Sequence, residues 1–442
     1  MKATAATYAP ARPRTPRLDD RTFRAILLGA GIVILFILAL VKSEAWADFW
    51  AAPIIFVYTI LVTTFELSRV LGAIIYGNIS SKAVPSTATV RYQPKVSFVI
   101  PCKNEEGAIA HSIEQCFAAD YPKELLEVIV INDGSTDGTR DVLYETQKKY
   151  PELIIVDWKE NRGKRHGMAE GFRRATGEIV VQLDSDSYID PKTFPELIAP
   201  FADHTIGAVC AHADPANADQ NFLTKMQAAY YFLSFRILKA AESAFFTVFC
   251  CSGCSSAYRR STIIPILDTW LSERFLGLPV TWGDDRALTN WVLRQGQRTI
   301  YTDRVQAYTI CPDNLKQLLK QQARWKKGWL VNSIFASKFI LKREPFIALT
   351  YFFPLVVITL MTPFMAALAL IIYPLLTGTV PVFYIAGVFL ITTIIALYYR
   401  YVARDNAYWP YLFAWSTLNL AVLSFMLFYA LATIQNRAWG TR

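Results

Sequence analysis

Acidic and basic side chains gather at a few places in this chain, in patterns that can do chemistry. Asp184-Ser185-Asp186 follows the apolar run 178–183. Two carboxylates one residue apart at a strand end can face a divalent cation, and Mg2+ or Mn2+ takes oxygen ligands that it commonly shares with phosphates. Such a cation stabilises charge on a leaving diphosphate. As a bare string the pattern is weak, and its place after a strand is what singles it out. Asn132-Asp133-Gly134-Ser135, with Asp137, reads either as a turn or as a site where Asp133 accepts hydrogen bonds from a base or ribose. Asn161-Arg162-Gly163-Lys164-Arg165 puts cations beside a glycine ahead of a helix, which suits a diphosphate but also plain surface charge. Gly283-Asp284-Asp285-Arg286 precedes the helical stretch 287–294 and offers a carboxylate free of metal duty, fit to act as a general base toward a hydroxyl. In Gln321-Gln322-Ala323-Arg324-Trp325, Gln321 and Arg324 sit on neighbouring helix positions. Trp325 there offers a stacking face for a sugar, or simply an anchor for a basic amphipathic helix at a membrane surface.

These clusters need a frame. Residues 96–101, 126–131, 154–157 and 178–183 read as short β-rich strands, and 105–118, 140–149 and 166–175 as helices between them. Such alternation predicts an α/β domain with a mostly parallel sheet covered on both faces. Ligands bind beyond the carboxyl ends of the strands in such sheets, where the polar clusters fall.

The flanks are different. Hydrophobic residues make up 53% of the 442 residues, and mean hydropathy is +0.26, too apolar for an ordinary soluble chain. Apolar runs lie at 25–41, 52–75, 346–376, 382–399 and 408–434, and about 20 apolar residues span a bilayer. Net charge is +9, and Lys2, Arg12, Arg14, Arg17, Arg21 and Arg24 precede the first run. This places the N-terminus and the large middle segment on the cytoplasmic side. A signal peptide cleaved near Ala45-Trp46-Ala47 is the rival reading of the first run. No nucleic-acid recognition module accompanies the positive charge, so no nucleic-acid partner is expected. Cys251-Ser252-Gly253-Cys254 has C-x-x-C spacing, but no second pair completes a zinc site; the seven cysteines read as reduced thiols.

In this order the motifs resemble the processive family-2 membrane glycosyltransferases: hyaluronan, chitooligosaccharide, chitin and cellulose synthases. The matching residues are 99–105 (VIPCKNE), 132–135, 163–165, 184–186, 283–286 and Gln321 to Trp325 as QxxRW. Hyaluronan synthases look nearest, on Cys251-Ser252-Gly253 with Tyr258-Arg259-Arg260, on 275–280 (FLGLPV), and on the terminal Trp439-Gly440-Thr441-Arg442. The resemblance implies a GT-A fold inserted between transmembrane helices. The expected layout is a cytosolic arm (1–24), two transmembrane helices (25–76), a cytosolic catalytic domain ending in an interfacial QxxRW helix (77–330), a C-terminal membrane region (331–434) and a cytosolic WGTR gating segment (435–442). The enzyme would sit in the cell membrane as a multi-pass protein.

The resemblance also implies roles. Asp133, Lys164, Arg165 and Asp184 would hold the donor, and Asp186 the Mg2+ or Mn2+. Asp285 would be the general base. Gln321, Arg324 and Trp325 would shape the donor and acceptor site, with Cys251, Ser252, Gly253 and Asp284 on the acceptor side. Trp439, Thr441 and Arg442 would close over the donor. The partners implied are UDP-sugars, the growing polysaccharide and membrane lipids. The chain departs from the pattern at Asn132, at Cys254 and at Lys326-Lys327-Gly328-Trp329, and the last of these puts the product in question. The reading is inverting, processive synthesis of a β-linked polymer. Hyaluronan from UDP-GlcNAc and UDP-GlcA leads, with a chitin-like or glucan-type polymer from one donor as the alternative. A non-processive transferase to a lipid phosphate shares the donor motifs but lacks QxxRW and WGTR. Five crossings would put the WGTR end outside, so the C-terminus is expected inside, with one block not crossing fully.

Overall fold

A computed structural model of the chain describes residues 19–44, 46 and 52–436. Its centre is an eight-stranded sheet in the order β3-β2-β1-β4-β7-β6-β10-β5. The strands of the N-terminal half are β1 (Val96–Cys102), β2 (Leu126–Asp133), β3 (Ile154–Trp158) and β4 (Ile179–Gln182), all paired in parallel. β1 is buried along its whole length, as a central strand covered on both faces must be. Its one polar residue, Ser97, is satisfied: the hydroxyl bonds Glu127 and accepts from the Gly177 N–H at 2.9 Å.

The second half is mixed. β5 (Ser187–Ile189), β6 (Ile206–Pro215), β7 (Ser256–Arg259) and β10 (Arg298–Thr309) extend the sheet, while β8 (Arg274–Phe275) and β9 (Leu278–Pro279) form a separate hairpin. β7 runs antiparallel to both β4 and β6, and β5 runs antiparallel to β10. The expected strands and helices are all present with ends moved by a few residues, the largest shift being a helix that begins at Ile109 instead of 105. The preceding turn holds Asn104 at φ 55°, which a helix cannot include.

Among the described residues five helices are long and apolar enough to cross a membrane: Asp20–Glu44, Pro53–Ala83, Pro345–Thr377, Val382–Val402 and Tyr411–Ala432. The second runs past the expected boundary at 76, through a π-helical turn at Tyr76–Ser80. It meets the catalytic domain closely. A Cβ at Gly72 would lie 2.8 Å from the Ala241 Cβ, so only glycine allows this approach. Ala241 belongs to a helical run that begins at Phe222 under a capping box between Asn221 and Thr224. That run, and the helix Leu315–Ser337 capped by Asn314, join the sheet to the apolar helices.

Candidate active site

A cleft of about 620 Å³ opens beyond the carboxyl ends of the strands, lined by Asp184 and Asp186 and also by Tyr351, Leu355 and Thr359. Asp285, Gln321, Arg324 and Trp325 line it too. Each is placed by an element whose local sequence explains it.

β2 finishes on Asp133, which is buried and spends its carboxylate on the following loop: Oδ1 accepts from the Arg162 N–H at 2.6 Å and Oδ2 from the Gly163 N–H at 2.9 Å. Gly134 after it has φ 63°, and a Cβ there would sit 2.6 Å from the Asn161 nitrogen. Glycine is required on both counts. Asn132 holds the same turn, donating to Asp157 at 2.8 Å and accepting from the Ser135 hydroxyl at 2.6 Å. The helix Lys164–Arg174 starts after Gly163, whose φ is 96°. Its first residue reaches into the cleft, where the ammonium pairs with Asp184. Burial opposes the charge on Lys164, but the Asp184 carboxylate more than offsets it and holds the lysine above its usual value.

Lys164 and Arg165 were expected to act together, and the structure separates them. Successive helix residues point about 100° apart. With Lys164 in the cleft, Arg165 turns inward, donating to Asp284 at 2.8 Å, to Glu273 at 3.0 Å and to the Trp270 carbonyl at 2.9 Å. The same rule divides the acidic pair on the helix Asp284–Arg294: Asp285 lines the cleft and Asp284 is buried against Arg165. Arg165 and Asp284, read from the sequence as donor and acceptor contacts, form instead a cross-link between the helix Lys164–Arg174 and the helix of Asp285. Cys251 is also turned away. It is fully buried and donates its N–H to Thr289 at 2.9 Å, while Ser252 and Gly253 line the cleft.

Asp285 is held by backbone. Oδ1 accepts from the Arg286 N–H at 2.9 Å and Oδ2 from the Gly253 N–H at 3.2 Å. Gly253 leaves no room for a side chain, since a Cβ would lie 2.6 Å from the Gln182 amide and 2.9 Å from Asp184. On Leu315–Ser337, Gln321, Arg324 and Trp325 share one face, three and four residues apart, and all line the cleft. Of the divergent residues that follow, Lys326, Gly328 and Trp329 also line it. Lys327 points elsewhere and donates to the carbonyls of Thr433 at 2.6 Å and Asn436 at 3.1 Å. Trp439, Thr441 and Arg442 lie outside the described residues.

Sequence reasoning missed Lys239, Glu242, Cys250 and Arg286, all of which line the cleft together with Tyr351. Glu242 accepts from the Tyr351 hydroxyl and from the Phe249 N–H at 3.0 Å. Lys239 and Glu242 stand three apart on one helical run, but no short motif marks them.

Asp186 lines the cleft, with one oxygen accepting from the Ser187 hydroxyl at 3.2 Å. Among the described residues no cluster of three or more His, Cys, Asp or Glu could enclose a metal. A Mg2+-type ion that keeps one or two protein carboxylates and takes its other oxygens from substrate phosphates and water fits this donor set; a caged structural ion does not.

Sheet, cleft and carboxylates together define a glycosyltransferase of the GT-A type. Residues 97–266 match the family described as Glycosyl transferase family 2. The chain is 33% identical over 354 residues to hyaluronan synthase of Streptococcus pyogenes, covering 79% of this chain and 83% of that one. It is 29% identical over 370 residues to an N-acetylglucosaminyltransferase of Azorhizobium caulinodans, covering 82% and 90%. Among solved structures, the mannosyltransferase PcManGT from Pyrobaculum calidifontis, in complex with GDP-Man and Mn2+, shares the fold at a TM-score of 0.55 and 24% identity, over 83% of this chain and 98% of that one. The chain belongs to glycosyl transferase family 2.

Proposed function

We propose that this enzyme is a processive, inverting synthase that builds a β-linked polysaccharide from UDP-sugars and passes it into the membrane region as it grows. The observation that carries this reading is the continuity of the cleft. One cavity is lined by Asp184, Asp186 and Asp285 and by Tyr351, Leu355 and Thr359, which recur every four residues on one face of the apolar helix Pro345–Thr377. A transferase that released each product into the cytosol would have no use for a cleft that continues along a membrane helix.

In this reading Asp133 supports the uridine end of the site through the loop it holds, and Lys164 and Arg324 face the diphosphate. Asp186, with Asp184 nearby, would hold a Mg2+ or Mn2+ ion, which would supply positive charge against the leaving diphosphate. Asp285 takes the proton of the acceptor hydroxyl. The acceptor oxygen forms its bond to the anomeric carbon as the bond from that carbon to the phosphate oxygen breaks, so the configuration inverts and UDP leaves. Trp325 and Gln321 orient the acceptor sugar.

The likeness to hyaluronan synthase makes hyaluronan, from UDP-GlcNAc and UDP-GlcA, the first product to test. The likeness to an N-acetylglucosaminyltransferase supports a second reading, a chitin-like chain from UDP-GlcNAc alone. The catalytic domain is assigned to the cytosol and the protein to the cell membrane. The last apolar helix, Tyr411–Ala432, is about 33 Å long at ~1.5 Å per residue. Tyr411 packs on Phe222 and Trp415 stacks on Tyr230 near its start, while Lys327 bonds Thr433 just past its end. A helix crossing straight through the bilayer would not meet the catalytic domain at both ends. We therefore take it to lie along the membrane surface, which leaves four crossings and both chain ends on the cytosolic side.

The test is polymer synthesis by the purified, detergent-solubilised protein with Mg2+ or Mn2+. UDP-GlcNAc, UDP-GlcA and UDP-Glc are supplied singly, and the first two together. Hyaluronidase-sensitive product from the pair alone is the expected outcome. Polymer from one donor selects the second reading, and transfer of single sugars to lipid overturns processivity.

A further inference from the structure

The loop Cys250–Gly253 does more than border the cleft. It is sewn to the helix of Asp285 at several points. Lys239 donates to the Cys250 carbonyl. The Cys251 N–H donates to the Thr289 hydroxyl at 2.9 Å, and that hydroxyl donates to the Asp285 carbonyl at 2.7 Å. At the cleft face the loop turns two donors onto one carboxylate oxygen: the Gly253 N–H at 3.2 Å and the Cys250 thiol at 3.7 Å, both to Oδ2 of Asp285. The longer distance is ordinary for sulfur, whose S–H is a weak donor. Oδ1 has its own donor in the Arg286 N–H. The carboxylate is therefore pinned through both oxygens.

We propose that Cys250 is a positioning residue for Asp285, its thiol fixing the Oδ2 oxygen so that the carboxylate presents one set lone pair to the acceptor hydroxyl. The proposal rests on the reading of Asp285 as the general base. It separates Cys250 from its neighbour Cys251, which lies behind the loop and touches nothing in the cleft.

The surroundings keep the thiol in the form that can donate. Burial first, and then the Asp285 carboxylate, push Cys250 up to about 12, so it remains an S–H and does not become a thiolate nucleophile. The charged and titratable groups around the pair include Lys164 across the cleft, Arg286 on the same helix, Lys239 and Tyr230 beside Cys250, and Cys210, Cys251 and Tyr258 behind the loop. Cys250 donates to the Asp285 carboxylate directly. A donor to a carboxylate favours its ionised form. Losing the thiol therefore makes the base easier to protonate, and the acid limb of the rate profile moves to higher pH.

The experiment compares wild type, Cys250→Ala and Cys250→Ser as purified enzyme, following UDP release across the acid side of the pH profile. Cys250→Ala is expected to lose about three-fold in rate at the acid end relative to its plateau, as a half-unit displacement of the limb gives. Cys250→Ser, which keeps a donor, is expected to restore the limb. Equal loss at every pH in the alanine variant, or an unmoved limb in both, overturns the proposal. A second measurement needs no turnover. In Asp285→Asn the negative charge beside the thiol is gone, so maleimide labelling of Cys250, read by peptide mass, is expected to begin at lower pH than in wild type; unchanged labelling overturns the proposal. Retained synthesis in Asp285→Asn would instead sink the base assignment itself, which keeps the two failures apart.

Discussion

Gly283 and Gly328 meet back to back: a Cβ built on either would lie 2.9 Å from the other's Cα. The first glycine starts the helix of Asp285, and the second lies one turn past Arg324 and Trp325. Their contact sets the spacing between Asp285 and the QxxRW face. Asn332 ties it off, donating to the Gly328 carbonyl at 2.8 Å and to that of Gly283 at 3.4 Å. Gly328 is helical, so Gly328→Ala adds only the overlap, with an expected cost of about 1–3 kcal/mol. Gly283 also has φ 68°, and Gly283→Ala should cost more, since strain joins the overlap. Thermal unfolding in detergent ranks the two, and equal stability of both variants would refute the contact.

Asp285→Asn removes the proton acceptor and leaves its backbone donors in place. Polymer synthesis should fall about 10²–10⁴-fold, while UDP affinity, read by calorimetry or ligand-dependent melting, should hardly change. A large loss of UDP affinity would assign Asp285 to the donor site instead.

Lys164 and Arg165 should differ sharply despite being neighbours. Lys164→Met removes a cation from the cleft and is expected to raise the donor KM with little effect on melting. Arg165→Met strands Asp284 and Glu273, whose partner is buried at 5% side-chain exposure. The expected destabilisation is about 3–5 kcal/mol. Parallel melting curves and KM values for the two variants check this, and a reversed pattern would mean the cleft faces the other residue.

His212 should make stability depend on pH. It lies buried in β6 and shares a hydrogen bond with the Tyr301 hydroxyl at 3.1 Å. Burial, and then the charge of Arg236, hold it below its usual value, so the folded protein prefers it neutral. The unfolded chain takes up the proton first, near pH ~6.5. Stability is therefore full above that pH and is lost as pH falls toward the lower folded value. His212→Gln should flatten this slope in melting temperature against pH. An unchanged slope would place its origin elsewhere.

Removing divalent metal with EDTA should abolish synthesis, and Mg2+ or Mn2+ should restore it. Asp186→Asn should need about ten-fold or more metal for half-maximal rate, in the range that disturbing a metal's ligand environment produces. Full activity in EDTA would contradict the metal assignment.

The parallel half of the sheet was legible in the sequence because its strands are continuous apolar runs ended by polar turns: β1, β2 and β4 each finish within a residue or two of the expected position. The second half was not assigned, because β5, β7 and β10 mix polar and apolar residues and take their register from distant partners. The cleft was legible as motifs but not as side-chain directions. A string cannot say which of Lys164 and Arg165, or of Asp284 and Asp285, faces the ligand; helix phase decides that. Glu242 and Tyr351 are 109 positions apart, and only the fold joins them.

The clasp of Lys327 on the carbonyls of Thr433 and Asn436 bears on how the enzyme is made. A ribosome delivers the sheet, the base and the QxxRW helix long before residues 411–436 emerge. Until then Lys327 lacks its acceptors, and the apolar faces around Met226, Leu318 and Tyr230, which Trp415 and Leu423 cover in the finished protein, stay bare. A chain without residues 411–436 thus has every carboxylate of the cleft and still lacks the cover over Met226 and Leu318. Addition of residues 411–436, and not of the sheet, is what covers these faces.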